Sequence, residues 1–207
     1  MPENDPDTEL MLRCGRGDDG AFEEIVRRYQ RRVASLAFRY LGSAADAEDV
    51  AQEVFLRIHR ARGRYAATAR LSTWIHRITV NASLNLLRRR RVRRAVDAPM
   101  PDAGAAGEGR AEFEDPGAAR PLDALEEGEL VEVLRRIVDE LPERQRTAIL
   151  LNKYQGLSYE DTAAVLELSL PAVKSLLTRA RVNIKEGLLP YLATGAVAGR
   201  AQDDEDR

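Results

Sequence analysis

The chain has 207 residues, of which 44% are hydrophobic, 5% aromatic and 32% charged, and its net charge is −2. This is the composition of a soluble, charge-rich, helix-leaning protein with one domain or two small ones. No apolar run approaches the roughly 20 residues of a membrane span, the opening MPENDPDTEL is too acidic for a secretory signal, and Cys14, the single cysteine, makes neither an internal disulfide nor a zinc site. A reducing, cytoplasmic setting is expected.

Residues 1–8 read as a disordered tail. From residue 9 to residue 95 the pattern is helical. Phe22, Ile25, Val26, Tyr29, Val33, Leu36 and Tyr40 recur at three- and four-residue spacing. Gly42 and Ser43 break the chain, and a second helix is predicted from about Ala44 to Arg60. Gly63 ends it, and Ser72 or Thr73 can cap a third helix carrying Trp74, Ile75, Ile78, Leu84 and Leu87. Residues 96–121 hold Pro99, Pro101, Pro116 and Pro121, four glycines and no apolar period, so they read as a linker. Order resumes near residue 122. Leu130, Val133, Leu134, Ile137 and Leu141 form one amphipathic helix, and Pro142 can open the next, which buries Ile149, Leu150 and Leu151. Residues 193–207 read as an acidic tail. Neither a repeat nor a convincing strand is visible. The expected fold is all-α: two small helical domains, residues 9–95 and 122–192, joined by a flexible acidic linker.

The near-neutral total hides a segregated charge. Residues 55–95 hold 12 arginines and no Asp or Glu, whereas residues 96–129 hold 10 acids against Arg110 and Arg120, a net of −8. Unopposed arginine points to a polyanion, most simply nucleic acid. The competing account, a solvated helix face, ordinarily mixes signs.

The stretch GLSYEDTAAVLELSLPAVKSLLTRARVNIKEGL has the physics of a helix-turn-helix. Gly156 stops one helix, and Ser158 with Asp161 makes an S-x-x-D capping pair for the next. Thr162, Ala163, Val165 and Leu166 form a short helix with small residues at the point of close approach. Glu167 and Leu168 supply the turn. Ser169 caps again, with Pro171 in the first turn, where its missing N–H costs little. In the following helix Val173, Leu177, Ala180 and Ile184 face a core. Lys174, Thr178, Arg181 and Lys185 repeat that spacing one position later, with Ser175 and Arg179 beside them. A basic, hydroxyl-bearing face suits a recognition helix in the major groove. An ordinary helical hairpin with a solvated basic face has the same pattern.

Two segments of the first half carry a resemblance that separates these readings. DAEDVAQEVFLRIHR (residues 46–60) and RLSTWIHRITVNASLNLLRRRR (residues 70–91) resemble region two of the ECF (extracytoplasmic-function) sigma factors, and LPERQRTAILLNKYQGLSYEDTAAVLELSLPAVKSLLTRAR resembles region four of the same family. The match covers both halves in the right order, roughly three-quarters of the chain. It implies a sigma factor that binds core RNA polymerase, through the clamp helices of the largest subunit and the flap of the second-largest, together with promoter DNA. An anti-sigma factor is a further expected partner, because the tail is too short for a folded regulatory extension.

Site residues follow from the resemblance position by position. Asp46, Asp49, Gln52, Glu53 and Phe55 fall on the helix that docks on polymerase. Val50 and Val54 add apolar surface to that helix. A helix-dipole role would explain Asp46 and Glu48 but not Glu53, two turns in. Arg64, Tyr65, Arg70 and Ser72 fall on the loop that holds a flipped non-template base of the minus-ten element. Trp74, Arg77, Asn81, Ser83 and Asn85 fall on the helix behind it; Trp74 reads first as a core residue, and at Asn85 many family members carry Asp. Arg88, Arg89, Arg90 and Arg91, with Arg93 and Arg94, face the phosphate backbone. A nuclear-localisation reading of that run leaves the flanking motifs unexplained. Ser169, Pro171, Lys174, Ser175, Thr178, Arg179 and Arg181 fall at the minus-thirty-five interface.

Two other classes compete. A free-standing helix-turn-helix regulator would need its own dimer interface and no polymerase. An enzyme would need paired carboxylates at a phosphate site, a glycine-rich phosphate loop or a triad, and the sequence has none. His59 and His76 have no second ligand at metal spacing, so no metal or cofactor is expected.

Overall fold

In the computed structural model, residues 5–96 and 124–193 are described, and every regular element among them is helical. The linker reading of residues 96–121, apart from residue 96, the first half of the predicted tail at residues 1–8 and all but the first residue of the tail at 193–207 lie outside the described residues.

The first domain packs four helices: α1 (Pro6–Gly15), α2 (Asp19–Leu41), α3 (Ala44–Ala61) and α4 (Leu71–Val96), with a 3₁₀ turn (Arg62–Arg64) after α3. Local chemistry sets the boundaries. Asp18 Oδ1 accepts from Ala21 N at 3.0 Å to open α2, Gly42 closes it at φ 66°, and Ser43 caps α3. Only a residue without Cβ takes that left-handed conformation cheaply. Helix α1 begins earlier than the apolar period indicates, because Asp5 caps it and Pro6 occupies its first turn. Thr8 is therefore buried at 2% exposure rather than part of a tail. Likewise α4 starts at Leu71, ahead of the predicted caps: Trp74 N bonds Arg70 O at 3.2 Å, which places Ser72 and Thr73 inside the first turn. Met11, Ile25, Val54, Ile58, Leu71 and Ile75 fill the core.

The second domain comprises α5 (Ala124–Glu140), α6 (Glu143–Ile149), a π-helical turn (Leu150–Tyr154), α7 (Tyr159–Leu166) and α8 (Leu170–Ala193). Ser158 Oγ accepts from Asp161 N at 2.9 Å, the predicted cap of α7. Glu167 carries the turn at φ 54°, a left-handed conformation outside glycine. Leu141, Ala148, Ile149, Val173, Leu177 and Ala180 make the core. Helices α5 and α8 approach closely at Gly187, where an added Cβ would lie 2.9 Å from Ile137 Cγ2.

A third apolar cluster belongs to neither domain alone. Leu36, Tyr40 and Val80 of the first domain pack with Val138, Leu150, Leu151 and Val165 of the second. The two domains are closed on each other through α4 against α7 and α2 against the π turn.

Candidate nucleic-acid interface

Three surfaces carry the predicted residues. The first is the exposed side of α3. Asp49 and Gln52 are solvent-exposed, and Glu53 is paired with Arg57 at 2.7 Å, which holds its carboxyl below the usual range. Asp46 is bound by Arg90 from α4 and is only 18% exposed. Burial opposes its ionisation, but the bonds from Arg90 and Ser43 prevail and keep its pKa low. Val50 and Val54 lie in the core at 5% and 0% exposure, so they add nothing to the outer face. The apolar part of that face is Leu56, half-exposed, beside the partly buried Phe55. Leu56 escaped the sequence reading because the i, i+3, i+7 acids drew attention to a neighbouring stripe.

The second surface is the loop at residues 65–70 with the outer face of α4. Tyr65 donates to Ala69 O at 3.2 Å, and its ring meets Trp74 at 5.3 Å between centroids, tilted by 52°. Trp74 is half-buried against the first core, between its two readings. Arg64, at the end of the 3₁₀ turn, and Arg70, on the loop, are exposed, and Ser72 is half-buried at the start of α4. Asn81 and Asn85 are exposed, as are Arg88, Arg89 and Arg91, while Arg90 is half-buried. Ser83 is fully buried, with its hydroxyl unpartnered among the described residues, so it faces the interior and is no DNA ligand.

The third surface is α8. Pro171, Lys174, Ser175, Thr178, Arg179 and Arg181 are all exposed on it, and Ser169 Oγ caps its first turn through Ala172 N at 3.4 Å. Thr178 donates to Lys174 O at 2.9 Å, and Arg181 donates to Tyr159 OH at 2.8 Å. The face is open and basic, with Val173, Leu177 and Ala180 fully buried behind it. An apolar groove of about 340 Å³ runs between α5 and α8, floored by Leu134, Val138, Ile184 and Leu188 and rimmed by Lys153, Arg181 and Lys185.

Domain closure engages part of the second surface. Arg77 pairs with Glu167 of the helix-turn-helix at 2.7 Å, Arg88 with Glu143 at 2.7 Å, and Arg70 lies 3.8 Å from Asp161. Arg146, with a side chain only 15% exposed, donates to Arg39 O at 3.0 Å and Tyr40 O at 3.1 Å, and pairs with Asp139 at 2.7 Å. Those two carbonyls end α2 and have no partner within their own helix. Arg39 in turn stacks on Tyr154, 4.0 Å from the ring centroid. Sequence reasoning missed the contacts between domains because each joins residues at least 55 apart.

Among the described residues no His, Cys, Asp and Glu cluster could hold a metal, and no helix is long and apolar enough to cross a membrane. Comparison with known proteins covers both domains. Residues 25–93 match Sigma-70 region 2, and residues 132–184 match Sigma-70, region 4. The chain is 38% identical over 197 residues to the ECF RNA polymerase sigma-E factor of Escherichia coli K12, covering 93% of this chain and 99% of the relative. It is 34% identical over 196 residues to the RNA polymerase sigma-H factor of Pseudomonas aeruginosa, covering 93% and 98%. Two solved structures share the fold: CnrH in complex with the cytosolic domain of CnrY (TM-score 0.64, 24% identity, 89% of this chain and 97% of that one), and the sigma factor RpoE in complex with the anti-sigma factor NepR from Bartonella quintana (TM-score 0.62, 22% identity, 81% and 96%).

Proposed function

The chain belongs to the ECF group of the sigma-70 family and is an alternative sigma factor that directs RNA polymerase to specific promoters; from that premise we propose which of its surfaces does which part of the work. The outer face of α3, with Asp49, Gln52, Glu53 and Leu56, docks on the clamp helices of the largest polymerase subunit. Asp46 serves that face indirectly by holding Arg90. The loop at residues 65–70 and the outer face of α4 take the minus-ten element. Tyr65 and Trp74 offer stacking surface to unpaired bases, Asn81 and Asn85 offer base-edge contacts, and Arg88, Arg89 and Arg91 neutralise phosphates. Helix α8 enters the major groove at the minus-thirty-five element through Lys174, Ser175, Thr178 and Arg179. The apolar groove between α5 and α8 receives the flap of the second-largest subunit. The chain works in the cytoplasm.

The observation that carries this assignment is the occurrence in one chain of two basic faces, one on each domain, with a separate acidic, half-apolar face on α3. The closed arrangement must open for both DNA elements to be held. Sites centred roughly 25 base pairs apart lie about 85 Å apart along B-form DNA. The 27 residues between Val96 and Ala124 can span at most about 97 Å. An anti-sigma factor fits as the partner that keeps the domains from separating. A free-standing regulator would use α8 alone and would have no need of the α3 face.

The test is co-elution of the purified protein with core RNA polymerase, comparing wild type with the double variant Asp49→Arg, Glu53→Arg. Wild type co-elutes and the variant does not. A variant that still co-elutes at wild-type affinity removes α3 as the docking face.

A further inference from the structure

Helix α1 lies outside the residues that match region 2, yet it is packed against the segment that leads into the minus-ten loop. Two contacts make that packing specific. Gly15, the last residue of α1, sits so close to the 3₁₀ turn that an added Cβ would lie 2.7 Å from the carbonyl oxygen of Arg62. A backbone oxygen cannot swing aside as a flexible side chain can. At the other end of α1, the buried Thr8 hydroxyl donates to Asp5 Oδ2 at 3.1 Å and lies beside the phenol of Tyr65. Tyr65 in turn fixes the loop through Ala69 O and its ring contact with Trp74. The loop is therefore held from both ends of one short helix: its entry at Arg62 and its aromatic residue at Tyr65. Met11 and Cys14, fully buried between these points, anchor the helix to the core.

We propose that α1 is a brace that sets the position of the strand-capturing loop, with Gly15 and Thr8 as positioning residues for opening the minus-ten element. The inference rests on the reading of residues 65–70 as the loop that holds the unpaired strand. A purely structural helix would need its buried apolar stripe, which Met11 and Cys14 supply. It would not need a glycine against a neighbouring carbonyl or a hydroxyl against the loop tyrosine. Displacing Arg62 by the few tenths of an ångström that a methyl demands moves Tyr65, three residues on, out of register with a flipped base.

The experiment uses the full chain assembled with core polymerase, on a promoter recovered by run-off transcription with the wild-type holoenzyme and carrying 2-aminopurine in its minus-ten element. Three quantities are read for each variant: thermal midpoint, affinity for core, and the rate of duplex opening at saturating holoenzyme. Gly15→Ala opens the duplex about tenfold more slowly, the scale of one lost base-stacking contact, with core affinity unchanged. Thr8→Val, which removes the hydroxyl at constant volume, slows opening about threefold, the scale of one weak polar contact beside Tyr65. Gly63→Ala makes the same chemical change inside the turn where no atom lies within 4 Å of the new methyl, and it opens DNA like wild type. A folded Gly15→Ala protein that opens the promoter at the wild-type rate overturns the proposal. Should that variant fail to fold, a wild-type opening rate for Thr8→Val overturns it instead. Arg70→Ala, on the loop itself and exposed, separates the inference from its premise. If Arg70→Ala opens normally, the loop assignment itself is wrong; if Arg70→Ala is slow while Gly15→Ala is normal, only the brace is lost.

Discussion

Replacing Arg146 tests the mechanical link between the domains. In the closed form its guanidinium makes two charge-assisted bonds to the carbonyls of Arg39 and Tyr40, at 3.0 and 3.1 Å, and lies 5.5 Å from the centroid of the Tyr40 ring. The pair with Asp139 is internal to the second domain and survives opening, so it does not count toward closure. Hydrogen bonds to charged groups contribute about 1.5–3 kcal/mol each, and the ring contact about 0.5–1 kcal/mol. Water satisfies the same groups once the domains part, which takes the net loss toward the lower end, about 3 kcal/mol. At about 1.4 kcal/mol per factor of ten, the closed-to-open ratio falls about 150-fold. Arg146→Met keeps the stem, and Asp139→Asn in the same chain avoids stranding a carboxylate whose pKa burial already pushes up. Energy transfer between dyes on Arg60→Cys and Glu186→Cys reads the separation, since both positions are exposed and Cys14, at 1% exposure, stays unlabelled. Transfer drops in the double variant, and single-stranded minus-ten DNA binds more tightly because Arg77 and Arg88 are released. Unchanged transfer in a folded variant refutes the reasoning and leaves closure to the shared apolar cluster and the remaining ion pairs.

Closure should also respond to pH through His76. Its ring is 5% exposed at the domain boundary, with Nδ1 against Ser72 O at 2.7 Å and Gln155 of the second domain beside it. Burial is the main cause that holds its pKa below the ordinary 6.5, reinforced by Arg32 and opposed by Ser72, Gln155 and Asp161. Stability is thus complete above pH 6.5 and declines as the pH falls through that value, because the opened form takes the proton first. Thermal midpoints measured downward from neutral pH follow this course, and His76→Gln flattens it; a midpoint that rises on acidification contradicts the assignment. At the α5–α8 crossing, Gly187→Ala drives a methyl to 2.9 Å from Ile137 Cγ2 and costs about 1–3 kcal/mol by overpacking; adding Ile137→Val recovers part of it in denaturant unfolding. On DNA, Arg89→Ala lowers the salt dependence of promoter binding by about one unit of slope at every promoter. Lys174→Ala instead relaxes preference at one minus-thirty-five position, by about 1–3 kcal/mol. Arg90 suits that comparison less well, because Asp46 already holds it.

Much of the second domain was legible in the sequence because its signals are local. The Ser158 cap, the turn at Glu167 and the stripe of Val173, Leu177 and Ala180 depend on hydrogen bonds and spacings within about one or two helical turns, which 3.6-residue periodicity encodes directly. The exposure of Lys174, Ser175, Thr178 and Arg179 follows from the same stripe by elimination.

The sequence by itself therefore determined an all-helical chain with two domains, a helix-turn-helix and a segregated arginine block. The tertiary structure alone decided which polar residues of those helices are free. Ser83 shares α4 with Asn81 and Asn85 but falls on the buried side. Asp46 is spent on Arg90, 44 residues away, and Arg77 is covered by Glu167, 90 residues away. The extra apolar faces of Leu36, Tyr40 and Val80 turn toward the second domain rather than inward. Periodicity specifies that a stripe is buried, but not what buries it. That choice depends on contacts between distant segments, whose pairing no local pattern records.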